Sequence, residues 1–222
     1  MSATYLITTF SFFVKIIGSV NGFKTKSWHL AGAILLANSF FIAIALLIIG
    51  LILDIQPKLK LIFLIFLSNF IIIFIGHLFI RFNTKLFFKI LNQVFNLYFK
   101  QKVDLKYQGF KSTIIFIDKP SLIAWLSLLI GFLFPSILAV IFNEYRSTLF
   151  QFSFIFNSIG TLITVIYTDR RASIYTDKIQ MSLIEKNDSY IYFLKVINSR
   201  LFSTFFVIVS LIITYLCLNF FF

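Results

Sequence analysis

The chain has 222 residues, of which 59% are hydrophobic and 19% aromatic, including 32 Phe, and its mean hydropathy is +0.96. A soluble domain is about 45–50% apolar, so an excess this large, laid out in long uncharged runs, excludes the soluble globular class and makes lipid the solvent. The 20 Lys and Arg outnumber the 8 Asp and Glu, for a net charge of +12. On so apolar a chain this reads as basic loops on the cytoplasmic side of a membrane, not as a nucleic-acid surface.

The expected fold is an all-α integral membrane protein of about six transmembrane helices, of about 20 residues each, plus one amphipathic cytoplasmic or interfacial helix. One polytopic domain, residues 1–222, holds them all. The first span covers residues 3–19. It lacks a basic leader and a small-residue cleavage site, so it reads as a retained span and not as a signal peptide. A polar turn from Asn21 to Lys26 leads to the second span, 28–53, long enough to cross with tilt. A tight link with Pro57 precedes the third, 61–82. Over 82–100, Phe82, Leu86, Ile90, Val94 and Leu97 recur on one face and Lys85, Lys89, Asn92 and Asn96 on another. That pattern predicts an amphipathic helix lying on the membrane surface or extending span three. The fourth span is 122–142, with Pro135 inside it, and the fifth is 149–168. A mixed-charge segment, 169–195, is expected to be partly helical. The sixth span, 196–222, holds the sole cysteine, Cys217, so no intrachain disulfide can form. No internal repeat is visible.

Basic residues set the orientation. The loops after spans one, three and five carry Lys24 and Lys26, then Arg81 through Lys119, then Arg170 through Lys195, whereas the opposite loops carry only Lys58, Lys60 and Arg146. The positive-inside rule puts the first group in the cytoplasm and both termini outside, in the periplasm or extracellular space. Trp28 and Trp125 then fall at the cytoplasmic interface.

Ionisable groups in or near spans are costly and are functional candidates. Lys15, His77, Arg81, Arg171 and Arg200 qualify, all in the cytoplasmic third. Two readings are open for them: a basic cavity for an anionic head group, pyrophosphate being the obvious one, or long side chains that snorkel to the interface. Span five has the clearest polar face. Ser153, Asn157, Thr161, Thr164 and Thr168 follow at intervals of four, four, three and four, which is one side of a helix, and Asp169 closes the stripe. Such residues either glue helices together or line a wet cavity able to hydrogen-bond sugar hydroxyls. Asn38 and Ser39, and likewise Ser68 and Asn69, are expected to bond across helices. Ser127, Gly131 and Pro135 make a small-residue face on span four.

Enzyme chemistry finds little to work with. There is no HExxH, no paired acidic motif of lipid phosphotransferases, and no carboxylate inside a span as bounded above. His29 and His77 are the only histidines. Neither a metal site nor an acid–base pair is expected, no cofactor is implied, and the chain reads as a transporter and not an enzyme.

Two stretches carry a resemblance. The run from Lys15 to Phe40, KIIGSVNGFKTKSWHLAGAILLANSF, resembles the first cytoplasmic loop and second span of the Amj family. The run from Phe156 to Ile179, FNSIGTLITVIYTDRRASIYTDKI, is similar to that family's late segment, where an Asn-x-x-(Gly/Ala)-Thr span ends in an Asp-containing turn and a second Thr-Asp pair. Gly22, Thr25, Asn157, Gly160, Thr161, Asp169, Thr176 and Asp177 fall on family-like positions. Arg170 and Arg171 follow Asp169 where the family tends to have Pro. The resemblance implies an alternate lipid II flippase of the bacterial inner (cytoplasmic) membrane, able to substitute for MurJ in peptidoglycan synthesis. Its partners would be lipid II or a related polyprenyl-pyrophosphate lipid and the membrane lipids, with no nucleic acid. A flippase for another polyprenyl-linked saccharide and a non-transport membrane assembly protein are the alternatives.

Overall fold

A computed structural model of the protein describes residues 1–55, 58–99, 117–181, 183 and 186–221. Pro57 and the basic loop residues Lys100, Lys102, Lys106 and Lys111 lie outside the described residues. Among those described there is no strand, and six helical segments are long and apolar enough to cross a membrane. The helices are α1 (Ser2–Val20), α2 (Lys24–Asp54), α3 (Leu59–Phe82), α4 (Thr84–Phe99), α5 (Lys119–Ile141), α6 (Arg146–Ile163), α7 (Arg170–Gln180) and α8 (Lys186–Phe221). A 3-10 turn, Asn143–Tyr145, precedes α6, and a π-helical turn, Thr164–Asp169, joins α6 to α7.

Local chemistry explains the tightest junctions. α1 ends in a Schellman arrangement: Gly22 N–H donates to the Ser19 carbonyl at 3.1 Å and Phe23 N–H to the Gly18 carbonyl at 2.8 Å. Gly22 takes φ +86°, the left-handed conformation that this cap requires and that glycine adopts without a Cβ clash. α5 begins at Asp118, whose carboxylate accepts from Ser121 N–H at 3.0 Å, with Pro120 in the first turn. A side-chain acceptor there satisfies a backbone donor that the helix cannot.

α1 is the hub. Of its apolar stretch 72% is buried, against 11% for α2 and 11% for the long helix containing α6. α2 packs along α1, α6 along α5, and α3 and α5 both lean on α8. Two apolar cores result. One gathers the C-terminal half of α1 with α4 and the start of α8, around Phe13, Ile17, Leu91, Phe95 and Phe193. The other joins α3, α5 and the far half of α8, around Phe66, Phe70, Leu129 and Leu211. Between them lies a buried polar layer of Thr9, His77, Arg200, Ser203 and Thr204. The outward faces of α2, α3 and α6 are apolar, with Leu36, Leu47, Ile75, Ile155 and Leu162 exposed.

Several sequence-based expectations change. The segment 143–180 is one continuous helical stretch of 38 residues, so the helix of the fifth span runs on past 168 into the segment expected to be partly helical, and Ala172 in this continuation is buried in the core that includes the start of α8. α8 starts ten residues before the expected 196, because Tyr190, Phe193 and Leu194 find an apolar seat against α1 and α4. α4 breaks from α3 at Asn83, so it does not extend span three. Its buried face is Phe87, Phe88, Leu91 and Phe95, which pack on Phe13 and Tyr190. Phe82, Leu86, Ile90 and Leu97, the stripe that periodicity picks out, point away from the bundle. Trp125 is buried inside the bundle, not placed at its edge, with its indole N–H donating to Thr204 at 3.2 Å.

Candidate functional site

A cavity of about 340 Å³ opens where α2 and α6 diverge. α1 forms its floor, with Thr4, Thr8, Ser11 and Lys15; α2 gives Asn38 and Ser39; α6 and the π turn give Asn157, Thr161, Thr164 and Asp169; and Arg200 reaches in from α8. From Thr4 to Lys15 the floor runs about 16 Å at 1.5 Å per residue, roughly half the thickness of a bilayer core. α2 and α6 share no packed seam among the described residues, so the cavity lies between two apolar helices, and Phe12, Leu35, Ile42, Leu46, Phe132 and Val165 make most of its lining apolar.

Its charged end is built from three groups. Lys15 Nζ donates to Asp169 Oδ2 at 2.8 Å. The lysine is 7% exposed, and its ammonium sits 4.9 Å from the Trp28 ring centroid. An ammonium over an indole face is held by the ring quadrupole. Arg200 is 2% exposed. Its guanidinium lies 4.5 Å from the Trp125 ring and 5.5 Å from Phe12, and Nη1 donates to Thr9 Oγ1 at 2.6 Å. Thr9 Oγ1 is also 2.8 Å from His77 Nε2. Because Arg only donates, Thr9 accepts from it and keeps its own proton for His77 or for the Tyr5 carbonyl at 3.2 Å. Among the described residues no carboxylate lies within ion-pair distance of Arg200, and Arg200 Nε has no hydrogen-bond partner. A buried cation without a counter-ion is costly, so this position is poised for an anion.

The uncharged walls are also incompletely satisfied. Asn38 Nδ2 donates to Thr8 Oγ1 at 3.1 Å, yet Asn38 Oδ1 has no partner, and neither has Asn157 Oδ1 on the facing wall. Amide oxygens of this kind accept from hydroxyl or amide donors, which the head group of a glycolipid carries in number.

The sequence-selected residues separate into groups. Lys15 and Arg200 line the cavity, and His77 stands behind α1, coupled to Arg200 through Thr9. Arg81 lies elsewhere, with Nε donating to Asn198 Oδ1 at 3.1 Å. Arg171 is half exposed and pairs with Asp118 at 2.8 Å. Asn157, Thr161, Thr164 and Asp169 line the cavity, but Ser153 and Thr168 do not. Ser153 is buried, bonding back to the Phe150 carbonyl. Thr168 is buried beside α8, and its carbonyl accepts from Tyr192 OH at 3.1 Å.

The π turn explains that exchange. In an α-helix each residue advances about 100°, which keeps Thr168 in the stripe and leaves Asp169 well off it. One extra residue in a π turn delays the rotation by a step, so Thr168 turns toward Tyr192 and Asp169 enters the cavity in its place. Asp169 is thereby a carboxylate inside a continuous helix, one residue past the expected end of the fifth span. The floor went unrecognised in the sequence although its signal was present: Thr4, Thr8, Ser11 and Lys15 recur at intervals of four, three and four, the same one-sided pattern as on span five.

Two of the ion pairs reach farthest along the sequence. Lys15 meets Asp169, and Lys24 meets Asp177, which also accepts from Ser173 at 3.5 Å. Each pair joins the α1–α2 region to the π turn and α7, more than a hundred residues later. Among the described residues no group of three or more His, Cys, Asp or Glu is placed to hold a metal ion. No family model, curated protein or solved structure matches the chain. Fold and site define the class by themselves: a helical bundle with six helices fit to cross a membrane, an apolar perimeter, and a largely apolar cavity between two of them with two cations and one carboxylate at one end.

Proposed function

We propose that the chain is a flippase of the bacterial inner membrane that moves a polyprenyl-pyrophosphate-linked saccharide, lipid II, from the cytoplasmic to the outer leaflet. One observation carries this reading. The stretches 15–40 and 156–179, which hold the resemblance to the Amj family, are joined by Lys15–Asp169 and Lys24–Asp177, and both contribute polar residues to the lining of one cavity. The family-like positions Asn157, Thr161 and Asp169 are all on its wall.

The physical demands of the task fit the same cleft. The head group needs a polar route across a hydrocarbon core of about 30 Å, while the polyprenyl tail stays in lipid. A gap between two apolar helices lets the tail hang outside while phosphates and sugars sit within. With basic loops inside, Lys15 lies at the cytoplasmic end of α1, where its charge and that of Arg200 capture the diphosphate by charge-assisted hydrogen bonds. Both termini then lie outside.

The test is complementation. The chain is expressed in a bacterium whose only lipid II flippase can be depleted, and growth is scored together with lipid II exposed on the outer face. Rescue of both is the expected outcome. Well-inserted, abundant protein that rescues neither would overturn lipid II as the substrate and point to another polyprenyl-linked saccharide or to an assembly role.

A further inference from the structure

Asp169 has a property that head-group capture alone does not require. It places a negative charge where the substrate's own negative charge has to go. Its carboxylate holds Lys15 at 2.8 Å, and it lines the same cavity as Arg200. The charged end of the cleft, with Lys15, Arg200 and Asp169, therefore carries a net single positive charge. Without Asp169 it would carry two, a match for the two phosphates of a diphosphate diester.

Asp169 also stands on the one turn of its helix able to withdraw it. The π turn Thr164–Asp169 is the only π segment among the described residues, and such turns are rare, high in energy relative to the α-helix, and recurrent at functional sites. Return of this turn to α register would rotate the residues around its end by about 100°. Asp169 would leave the cleft, and Thr168, whose Oγ1 is now buried without a hydrogen-bond partner, would turn into it. Thr168 would bring a hydroxyl donor where a carboxylate had been, and the unsatisfied group would gain a partner in the bound head group.

We infer that Asp169 is a resident counter-ion that occupies Lys15 in the empty site and is displaced by the incoming diphosphate, with the π turn as the hinge that exchanges Asp169 for Thr168. The inference rests on the reading of the cleft as a head-group site. It adds how that site is held neutral enough to exist empty in lipid, and how occupancy is signalled to α6 and α7. An ammonium and a guanidinium lining one cavity with no anion would be costly in a low-dielectric setting; a movable carboxylate lowers that cost by pairing with Lys15 and is released once the ligand supplies its own charge.

The two tryptophans make this measurable, because they are the only ones in the chain, Trp28 beside Lys15 and Trp125 beside Arg200. Trp125→Phe protein, with Trp28 as sole reporter, is placed in phosphatidylcholine nanodiscs and titrated with undecaprenyl pyrophosphate, following fluorescence. Asp169→Asn is expected to bind about tenfold more tightly, since a site that is competent about a tenth of the time shows an affinity weakened by that fraction. Lys15→Ala is expected to abolish the Trp28 response. As a second readout independent of how Asp169→Asn folds, Thr168→Cys in a Cys217→Ser background is treated with a water-soluble thiol reagent. It is expected to be protected in the empty protein and labelled once undecaprenyl pyrophosphate is bound. Equal or weaker binding by a well-folded Asp169→Asn, or Thr168→Cys equally protected in both states, would overturn the counter-ion exchange while leaving the head-group site intact. Absence of any response in the parent protein would instead overturn the reading of the cleft, and the exchange with it.

Discussion

At the scale of single residues, burial and partnership separate cations that look alike in the sequence. Arg81 and Arg200 both sit near the ends of the apolar runs expected as their spans, and from the sequence both could snorkel. Arg81 is half-buried and bonded to Asn198. Arg200 is sealed between Trp125 and Phe12 with a single bond to Thr9 and an unpartnered Nε facing no carboxylate. Only the second is placed to gain from an anion in the cleft. Arg200→Ala is therefore expected to lower lipid II flipping about 10- to 100-fold, the equivalent of losing one charged hydrogen bond of about 1.5–3 kcal/mol. Arg81→Ala is expected to change it by no more than about twofold, with both variants checked for membrane levels. Equal losses in the two would remove Arg200 from its special role. Residue type and sequence position within or beside an apolar run were legible for all five basic candidates. Which of them converge was not, because convergence depends on the rotation of α3, α7 and α8 about their axes, and lipid-facing runs of Leu, Ile and Phe specify that rotation weakly.

At the scale of elements, the α5–α6 seam shows what holds the cleft's outer wall in place. A Cβ at Gly160 would lie 2.9 Å from the Ala124 carbonyl oxygen and 2.8 Å from Leu128 Cγ, and one at Gly131 would lie 2.8 Å from Phe156 Cβ. The two glycines let the helices approach backbone to side chain, as small residues do where helices associate without a hydrophobic driving force between them. Gly160→Val is expected to destabilise the protein by about 1–3 kcal/mol through overpacking, seen as a lower melting temperature in detergent. Ser158→Val, at an exposed position two residues away, is the control and should leave the transition in place. Helix number and most boundaries could be read from hydropathy, since the length of an apolar run fixes a span. The π turn could not, because 164–169 has no proline or glycine to announce it; the shift comes from tertiary partners, Lys15 for Asp169 and Tyr192 for the Thr168 carbonyl. The wrong face of α4 has a related cause: Phe87, Phe88, Leu91 and Phe95 form a second apolar stripe, and only the packing of α1 and α8 selects it.

At the scale of the whole molecule, the bundle divides into a buried centre and two peripheral arms. α1, α3, α5 and α8 enclose both apolar cores and the polar layer between them. α2 is held mainly by α1, and α6 mainly by α5, with nine-tenths of each apolar window on the outside. On the proposed function, a lipid head group passes between these arms, and their separation governs whether it can. Asn38 on α2 and Asn157 on α6 line the same cavity from opposite arms, each with an unpartnered carbonyl oxygen. Joining them tests the route directly. Asn38→Cys with Asn157→Cys, in a Cys217→Ser background, is bridged by a bifunctional thiosulfonate reagent that a reductant removes. Flipping is expected to fall to background on bridging and to return when the bridge is reduced, while either single cysteine treated alike keeps most of its activity. Transport that continues unchanged in fully bridged protein would place the route elsewhere and make the cleft a packing feature of the fold. The arms carry this consequence because they are peripheral: a bridge within the core would stop a transporter simply by stiffening it, whereas one between α2 and α6 closes only the opening that faces lipid.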